Sequence, residues 1–151
     1  MIAFITDSDE KERISSLILR DLPDWFGLPD STANYIRESR AMPFWAAMED
    51  DRPVGFIALR ETGPQTAEIY VMGVLKTLHG QGYGTALWEA FRDWARGRGY
   101  EYAQVKTVRR GCYEEYDRTN DFYEHLGFRE LECFPTLWDE WNPCQVYIRS
   151  L

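Results

Sequence analysis

Apolar and polar positions alternate along this chain in two periods, and the places where the period changes mark its elements. Over Asp9 to Asp21 the apolar residues Ile14, Leu17 and Ile18, with Leu22 just beyond, keep the spacing of one helical face, and Asp9 is the expected N-cap. Pro23, Gly27 and Pro29 then break regular structure over Leu22 to Thr32, a loop with Trp25 and Phe26 at its centre. A short helix is expected over Ser31 to Arg40. Strand-like runs follow at Pro43 to Met48 and Val54 to Arg60, an antiparallel pair joined by the polar turn Glu49 to Pro53.

Ala67 to Leu75, dense in Ile, Tyr and Val, reads as a central strand running straight into a glycine-rich turn at Gly80, Gly82 and Gly84. From Thr85 the helical period returns with Leu87, Ala90, Phe91, Trp94 and Ala95, and Gly97 and Gly99 supply stop signals. A strand over Tyr102 to Val108, a polar segment, a short helix over Thr119 to Leu126 and strands over Phe128 to Phe134 and Cys144 to Ile148 complete the order. The class is mixed α/β (α+β), with a parallel crossover from the central strand through the long helix to the strand at 102–108, inside an otherwise antiparallel sheet. No repeat or Pro/Ser-rich linker divides the chain, so residues 1–151 are expected to form a single domain.

Composition narrows the function. The 44% hydrophobic and 15% aromatic content can build a core without metals or disulfides. A net charge of -8 argues against nucleic-acid binding, which needs a basic surface, and mildly favours cationic small molecules or basic peptides. The apolar run Met1 to Ile5 meets Asp7, Asp9 and Glu10 at once, too short for a signal peptide or a membrane span, so no membrane partner is expected. Three widely spaced cysteines, Cys112, Cys133 and Cys144, with two histidines in the chain, suit reduced thiols in a cytoplasmic protein rather than a metal site.

The chemistry concentrates in the glycine turn. Between a strand and a helix N-terminus, consecutive backbone N–H groups and the helix dipole can hold a phosphate, and glycines allow close approach. It is neither a Walker loop, since no GK[ST] follows, nor the dinucleotide fingerprint, which needs a third glycine at 85 or 87. A tight turn feeding a helix would use the same residues. The segment His79, Gly80, Gln81, Gly82, Tyr83, Gly84 resembles the pyrophosphate loop of the GNAT superfamily of N-acetyltransferases, with His79 in place of the usual Arg or Gln. Downstream, Asp121 to Phe128 resembles the family's helix-to-strand segment ending in Leu-Gly-Phe. The likeness covers Ala67 to about Phe134. Tyr116 to Thr119 and the ending Trp, Asn142, Pro143, Cys144 are similar to stretches in small bacterial members of unassigned substrate.

That resemblance implies a GNAT fold, a mostly antiparallel mixed sheet with about four helices. It also implies transfer of an acetyl group from the cosubstrate acetyl-coenzyme A to the primary amine of a small molecule or peptide, by direct attack in a ternary complex. Met72, Gly73 and Val74 are the strand residues implied to pair with the pantetheine arm, and His79, Gly80, Gln81, Gly82, Tyr83, Gly84 and Thr85 those holding the pyrophosphate; an ordinary buried strand and turn would look the same. Tyr123 matches the tyrosine that protonates the leaving thiolate. Glu68 matches a carboxylate that acts as base through water, with Tyr70 on its face two residues on; a solvated strand-end glutamate is the bland alternative. Trp25, Phe26, Trp138 and Trp141, each with acidic neighbours, fall where the family holds its acceptor, and would suit a cationic amine with some apolar body; they would serve equally in a core or a dimer interface. No metal is implied, and homodimers are common in the family. A non-catalytic coenzyme A sensor or a protein-interaction module would keep some of the same features. Cys112, beside Glu114 and Glu115 with no adjacent His, is a poor nucleophile.

Overall fold

A computed structural model describes residues 1–151. Seven strands form one sheet in the order β1-β2-β3-β4-β5-β7-β6. They are β1 (Ile2–Ile5), β2 (Phe44–Glu49), β3 (Arg52–Gly63), β4 (Thr66–Val74), β5 (Tyr102–Val108), β6 (Arg129–Asp139) and β7 (Asn142–Ser150). Four helices, α1 (Ser8–Arg20), α2 (Pro29–Ser39), α3 (Tyr83–Gly97) and α4 (Glu114–His125), connect them, with a short 3-10 turn at Lys76–Leu78. All pairings are antiparallel except β4 with β5, which the α3 crossover joins in parallel.

The helices cover both faces. On one face α1 buries Ile14, Ile18 and Leu19 against Phe44, Phe56 and Val71, with α2 alongside. On the other, Leu87, Trp88 and Phe91 of α3 meet Ile57, Leu59 and Ile69, and Tyr123 and Phe128 extend the same core toward α4. Each fully buried side chain of this size contributes about 2 kcal/mol relative to exposure, so the face of α3 anticipated from its helical period anchors the sheet.

Several elements differ from the sequence expectation. The N-cap of α1 is Asp7, whose carboxylate accepts from the Glu10 N–H at 2.9 Å; Asp9 lies inside the first turn and pairs with Arg40 at 3.0 Å. The Asp-x-x-Glu spacing occurs twice, at Asp7/Glu10 and Asp9/Glu12, and the helix is capped at the first. The run Met1 to Ile5 contains β1, an edge strand registered Ile2↔Ala47 to Ile5↔Phe44. Helix α2 starts earlier, with Pro29 in its first turn, where a missing N–H costs nothing. Helix α4 begins at Glu114 rather than Thr119, its acidic first turn matching the positive end of the helix dipole. The last hairpin is longer than expected because Asp139 Oδ1 takes the N–H groups of Trp141 and Asn142 at 2.8 and 2.9 Å and pins a tight turn.

One irregularity shapes the molecule. Leu59 pairs with Ile69 and Ala58 with Val71, so Tyr70 is an extra residue in β4. This bulge bends β4 away from β5. The parallel pairing between the two strands accordingly runs only from Thr66↔Tyr102 to Ile69↔Val105.

Candidate active site

Where β4 and β5 part, the sheet opens into a cavity of about 1020 Å³. Its walls come from the far half of β4, the end of β5, the loop between α1 and α2, the N-terminus of α3, the inner face of α4 and the tip of the β6–β7 hairpin. Beyond Ile69 the β5-facing backbone of β4 has no strand partner. Met72, Gly73 and Val74 line the cavity there, an open edge to which an extended chain can add. Gly73 has a second reason to be glycine: a Cβ would lie 2.9 Å from Leu22 Cδ1 and 3.0 Å from Ile18 Cγ2 of the α1 layer.

At one end of the cavity the backbone turns through Gly80 and Gly82, both left-handed at φ 78° and 90°, and Gly82 caps α3 without any side-chain bond. The N–H groups of Gly80, Gln81 and Gly82 find no acceptor in the protein, and those of Tyr83, Gly84 and Thr85 are the free donors of the first helical turn. Six consecutive unpartnered donors at the positive end of a helix form an anion cradle. Gly84 also lets α4 approach, since its Cβ would sit 3.0 Å from Phe122 Cζ. The Tyr83 hydroxyl donates to Glu49 at the end of β2, and that bond raises its pKa.

His79 lines the cavity beside the glycine turn and has protein partners of its own. Its Nε2 lies 2.7 Å from the Val74 carbonyl, which fixes that nitrogen as the donor, and its ring meets Trp25 edge-on at 5.5 Å. The ring thus braces the end of β4 against the loop above it.

Tyr123 lines the cavity from α4 and is only 6% exposed. Its hydroxyl makes no hydrogen bond within the protein. Burial is the main cause that pushes its pKa well above the ordinary phenol range, with Tyr116 and Tyr35 adding to it. It is a protonated donor without a partner, in the wall of an open cleft.

Trp25, Phe26 and Tyr70 line the cavity together. Trp25 is held from α4: its Nε1 donates to Thr119 Oγ1 at 3.1 Å and to the Glu115 carbonyl at 3.2 Å, and the Tyr116 hydroxyl donates to the Trp25 carbonyl at 2.6 Å. The Tyr116-x-x-Thr119 stretch is thus a clamp on the α1–α2 loop. Asp24 in the same loop pairs with Lys76 at 3.1 Å. From the last hairpin Trp138 reaches the cavity, whereas Trp141 is 71% exposed and lies outside it.

Glu68 is neither solvated nor part of the lining. It is 2% exposed, and its carboxylate takes Arg60 Nε and Nη2 at 3.0 and 2.6 Å on one oxygen and Lys106 Nζ at 2.5 Å on the other. Tyr70 shares its face and donates to Glu38, with the Arg60 guanidinium 4.7 Å above its ring. The sequence reading missed Lys106, Tyr35 and Glu115, all of which line the cavity. Lys106 alternates with apolar residues in β5 and so resembles an ordinary solvent-facing position, and Glu115 reads in the sequence only as an acidic neighbour of Cys112. Cys112 itself is exposed and outside the cavity. No group of three or more His, Cys, Asp or Glu is arranged to hold a metal ion, and no helix is long and apolar enough to cross a membrane.

The profile of the Acetyltransferase (GNAT) family matches residues 11–128. No curated protein sequence matches the chain. Among solved structures, an IAA acetyltransferase from Bacillus cereus is similar over 100% of this chain and 99% of its own, at 19% identity and a TM-score of 0.75. An aminoglycoside 6'-N-acetyltransferase complexed with coenzyme A is similar over 99% and 96%, at 20% identity and a TM-score of 0.76. A GNAT family acetyltransferase from Elizabethkingia anophelis with acetyl-CoA bound is similar over 86% and 88%, at 17% identity and a TM-score of 0.68. At these identities the likeness speaks to the fold.

Proposed function

The chain belongs to the acetyltransferase (GNAT) family, and from that membership we propose that it is an N-acetyltransferase moving an acetyl group from acetyl-coenzyme A to an amine by direct attack within a ternary complex. The observation that carries this reading is the junction of three features in one cavity: the six free N–H groups of Gly80 to Thr85, the unpaired edge of β4, and the unbonded hydroxyl of Tyr123. The residues fit the cosubstrate at each end. An anion cradle suits a pyrophosphate, and an open strand edge suits the amides of a pantetheine arm. Two structurally similar proteins carry coenzyme A or acetyl-CoA, which supports the same assignment.

Acetyl-coenzyme A, when bound, supplies an acetyl group activated as a thioester. Gly80 to Thr85 hold its diphosphate, and the β4 backbone orients the arm and offers an N–H toward the carbonyl oxygen where charge develops. Tyr123 donates its proton to the departing sulfur. A phenol of ordinary pKa ~10 giving a proton to a thiolate of ~8.5 is uphill by roughly 2 kcal/mol, and burial raises both values, so the gap changes less than either one.

The incoming amine must lose a proton, at a cost of about 4.6 kcal/mol for an amine of pKa ~10.4 at pH 7. Glu68 was the expected base, but both of its oxygens are taken by Arg60 and Lys106. Glu115 lines the cavity with a carboxylate free of any ion pair or hydrogen bond, and the geometry favours it as the proton acceptor, with Glu68 positioning Lys106.

The test is calorimetric titration with acetyl-coenzyme A followed, in the same sample, by thiol release against a panel of amines. Micromolar binding with amine-dependent thiol release is the expected result. Binding without release would leave a coenzyme sensor, and no binding would overturn the assignment of the cradle.

A further inference from the structure

The parting of β4 and β5 opens an edge on β5 as well. Pairing between the two strands ends at Ile69↔Val105, yet β5 continues to Val108, which is 4% exposed. The Arg109 N–H donates to the Pro143 carbonyl at 2.9 Å, toward β7. Across a trans peptide the carbonyl points the opposite way, so the Val108 C=O faces the side that β4 has left. A buried carbonyl without a donor is costly there.

Asn120 supplies the donor. It is fully buried on α4, and its Nδ2 donates to the Val108 carbonyl at 2.9 Å and to the Tyr116 carbonyl at 2.7 Å, while its Oδ1 accepts from the Tyr147 hydroxyl at 2.5 Å. Two carbonyls on one side and a hydroxyl on the other fix the orientation of the amide and use both of its N–H groups. The bond to Val108 is the one side-chain hydrogen bond between α4 and β5, and the bond from Tyr147 adds β7 to the same junction. Tyr123 follows three residues on, over the same face of the helix, with its ring 6.2 Å from that of Tyr147.

We propose that Asn120 is a positioning residue: it stands in for β4 as the hydrogen-bond partner of the end of β5, and so holds the Tyr123 hydroxyl at a fixed distance from the open edge of β4. The inference rests on the acyl-transfer reading above, in which that hydroxyl protonates the departing sulfur. Asn120 makes no hydrogen bond to the anion cradle or to β4, so its loss displaces the proton donor without loosening the coenzyme. Rates respond steeply to such displacement, whereas affinity does not.

The test is Asn120→Ser on the full chain, because a serine hydroxyl can reach the Tyr116 carbonyl one turn back but is too short for Val108. The kcat for thiol release is expected to fall about tenfold, with the Kd for acetyl-coenzyme A held within about twofold. In a Tyr123→Phe background the same substitution is expected to cost less than about twofold, since no phenolic proton is left to misplace. Asn120→Asp keeps the acceptor for Tyr147 and removes both donors; it is expected to follow the same pattern and serves if the serine variant does not fold. Equal fold-losses in the two backgrounds, or none in either, overturn the proposal. Amide hydrogen exchange over residues 114–125 needs no turnover and is expected to quicken at least about fivefold in Asn120→Ser, with residues 83–97 of α3 unchanged. Unmoved exchange in α4 overturns the proposal too. Absence of thiol release with every amine would sink the acyl-transfer reading, and exchange then decides by itself whether Asn120 anchors the helix.

Discussion

The indole Nε1 of Trp25 donates to the hydroxyl of Thr119 at 3.1 Å, closing a contact between residues 94 positions apart in the chain. With the Tyr116 hydroxyl on the Trp25 carbonyl and the His79 ring against the indole edge, this bond ties the α1–α2 loop to α4 on one side and to the end of β4 on the other. The loop lines the same cavity as the anion cradle and Tyr123. Thr119→Val and Tyr116→Phe are each expected to cost about 1 kcal/mol of stability and to raise the KM for acetyl-coenzyme A roughly 3–10-fold, with kcat changed less. The double variant should lose less than the sum, because both bonds hold one loop. Steady-state kinetics with urea unfolding of the three proteins checks this; a kcat loss at constant KM would place the loop elsewhere in the cycle.

Tyr123→Phe removes a hydroxyl that bonds nothing in the protein, so stability should stay within about 0.5 kcal/mol. Turnover is expected to fall about 10²–10³-fold with coenzyme affinity held within about twofold. Because burial holds this phenol protonated far above neutrality, the wild-type rate should not decline on the alkaline side below about pH 10. Turnover of the variant at the wild-type rate would remove Tyr123 from the chemistry.

Glu68→Gln and Glu115→Gln should separate scaffold from base. Loss of the Glu68 charge strands Arg60 beside Lys106 and is expected to cost about 2–4 kcal/mol of stability while the shape of the pH–rate curve persists. Glu115→Gln should leave the fold intact and lower kcat/KM about tenfold or more. A pH profile altered in Glu68→Gln and untouched in Glu115→Gln would reverse the two roles.

Stability should fall steeply in alkali. Burial raises the Cys144 thiol to about 11 and the Tyr147 phenol to about 12, and pushes Tyr116 and Tyr123 upward as well. The folded chain keeps these protons while the unfolded chain releases them from about pH 8.5 for the thiol and about pH 10 for the phenols. The folded state then binds more protons, so the contribution is fully present below about pH 8.5 and drains away as pH climbs through 9 to 12, by roughly 3–6 kcal/mol at pH 11. Urea midpoints at pH 8, 9, 10 and 11 measure it; a flat series would show that these groups are not protected.

The strand, glycine turn and helix over 67–97 could be read directly because a β-branched run meets glycines and then a strong helical period, three local signals in sequence. Edge strand β1 was hidden by its length of four residues. The first half of α4 was hidden because its polar residues carry no apolar period; the helix is stabilised there by charge and by the clamp on Trp25. Partnerships were least legible. Glu68 reads as a strand-end carboxylate until the register Arg60↔Glu68 is known. Tyr116 and Thr119 stood out as a pattern, but the residue they hold comes about ninety positions earlier.

The bulge at Tyr70 makes the opening of this sheet a matter of counting. A single surplus residue puts β4 out of step with β3, and the pairing of β4 with β5 stops at the residue before it, Ile69. Substitution along β4 can reshape the walls of the cleft but leaves the strands apart. Deletion of Tyr70 is expected to give β4 an unbroken register with β3 and so to remove the bend that opens the cleft. The chain gives up the most cohesive form of its own sheet to keep a vacancy in the middle of it, so its tolerance to change there is wide for composition and narrow for length.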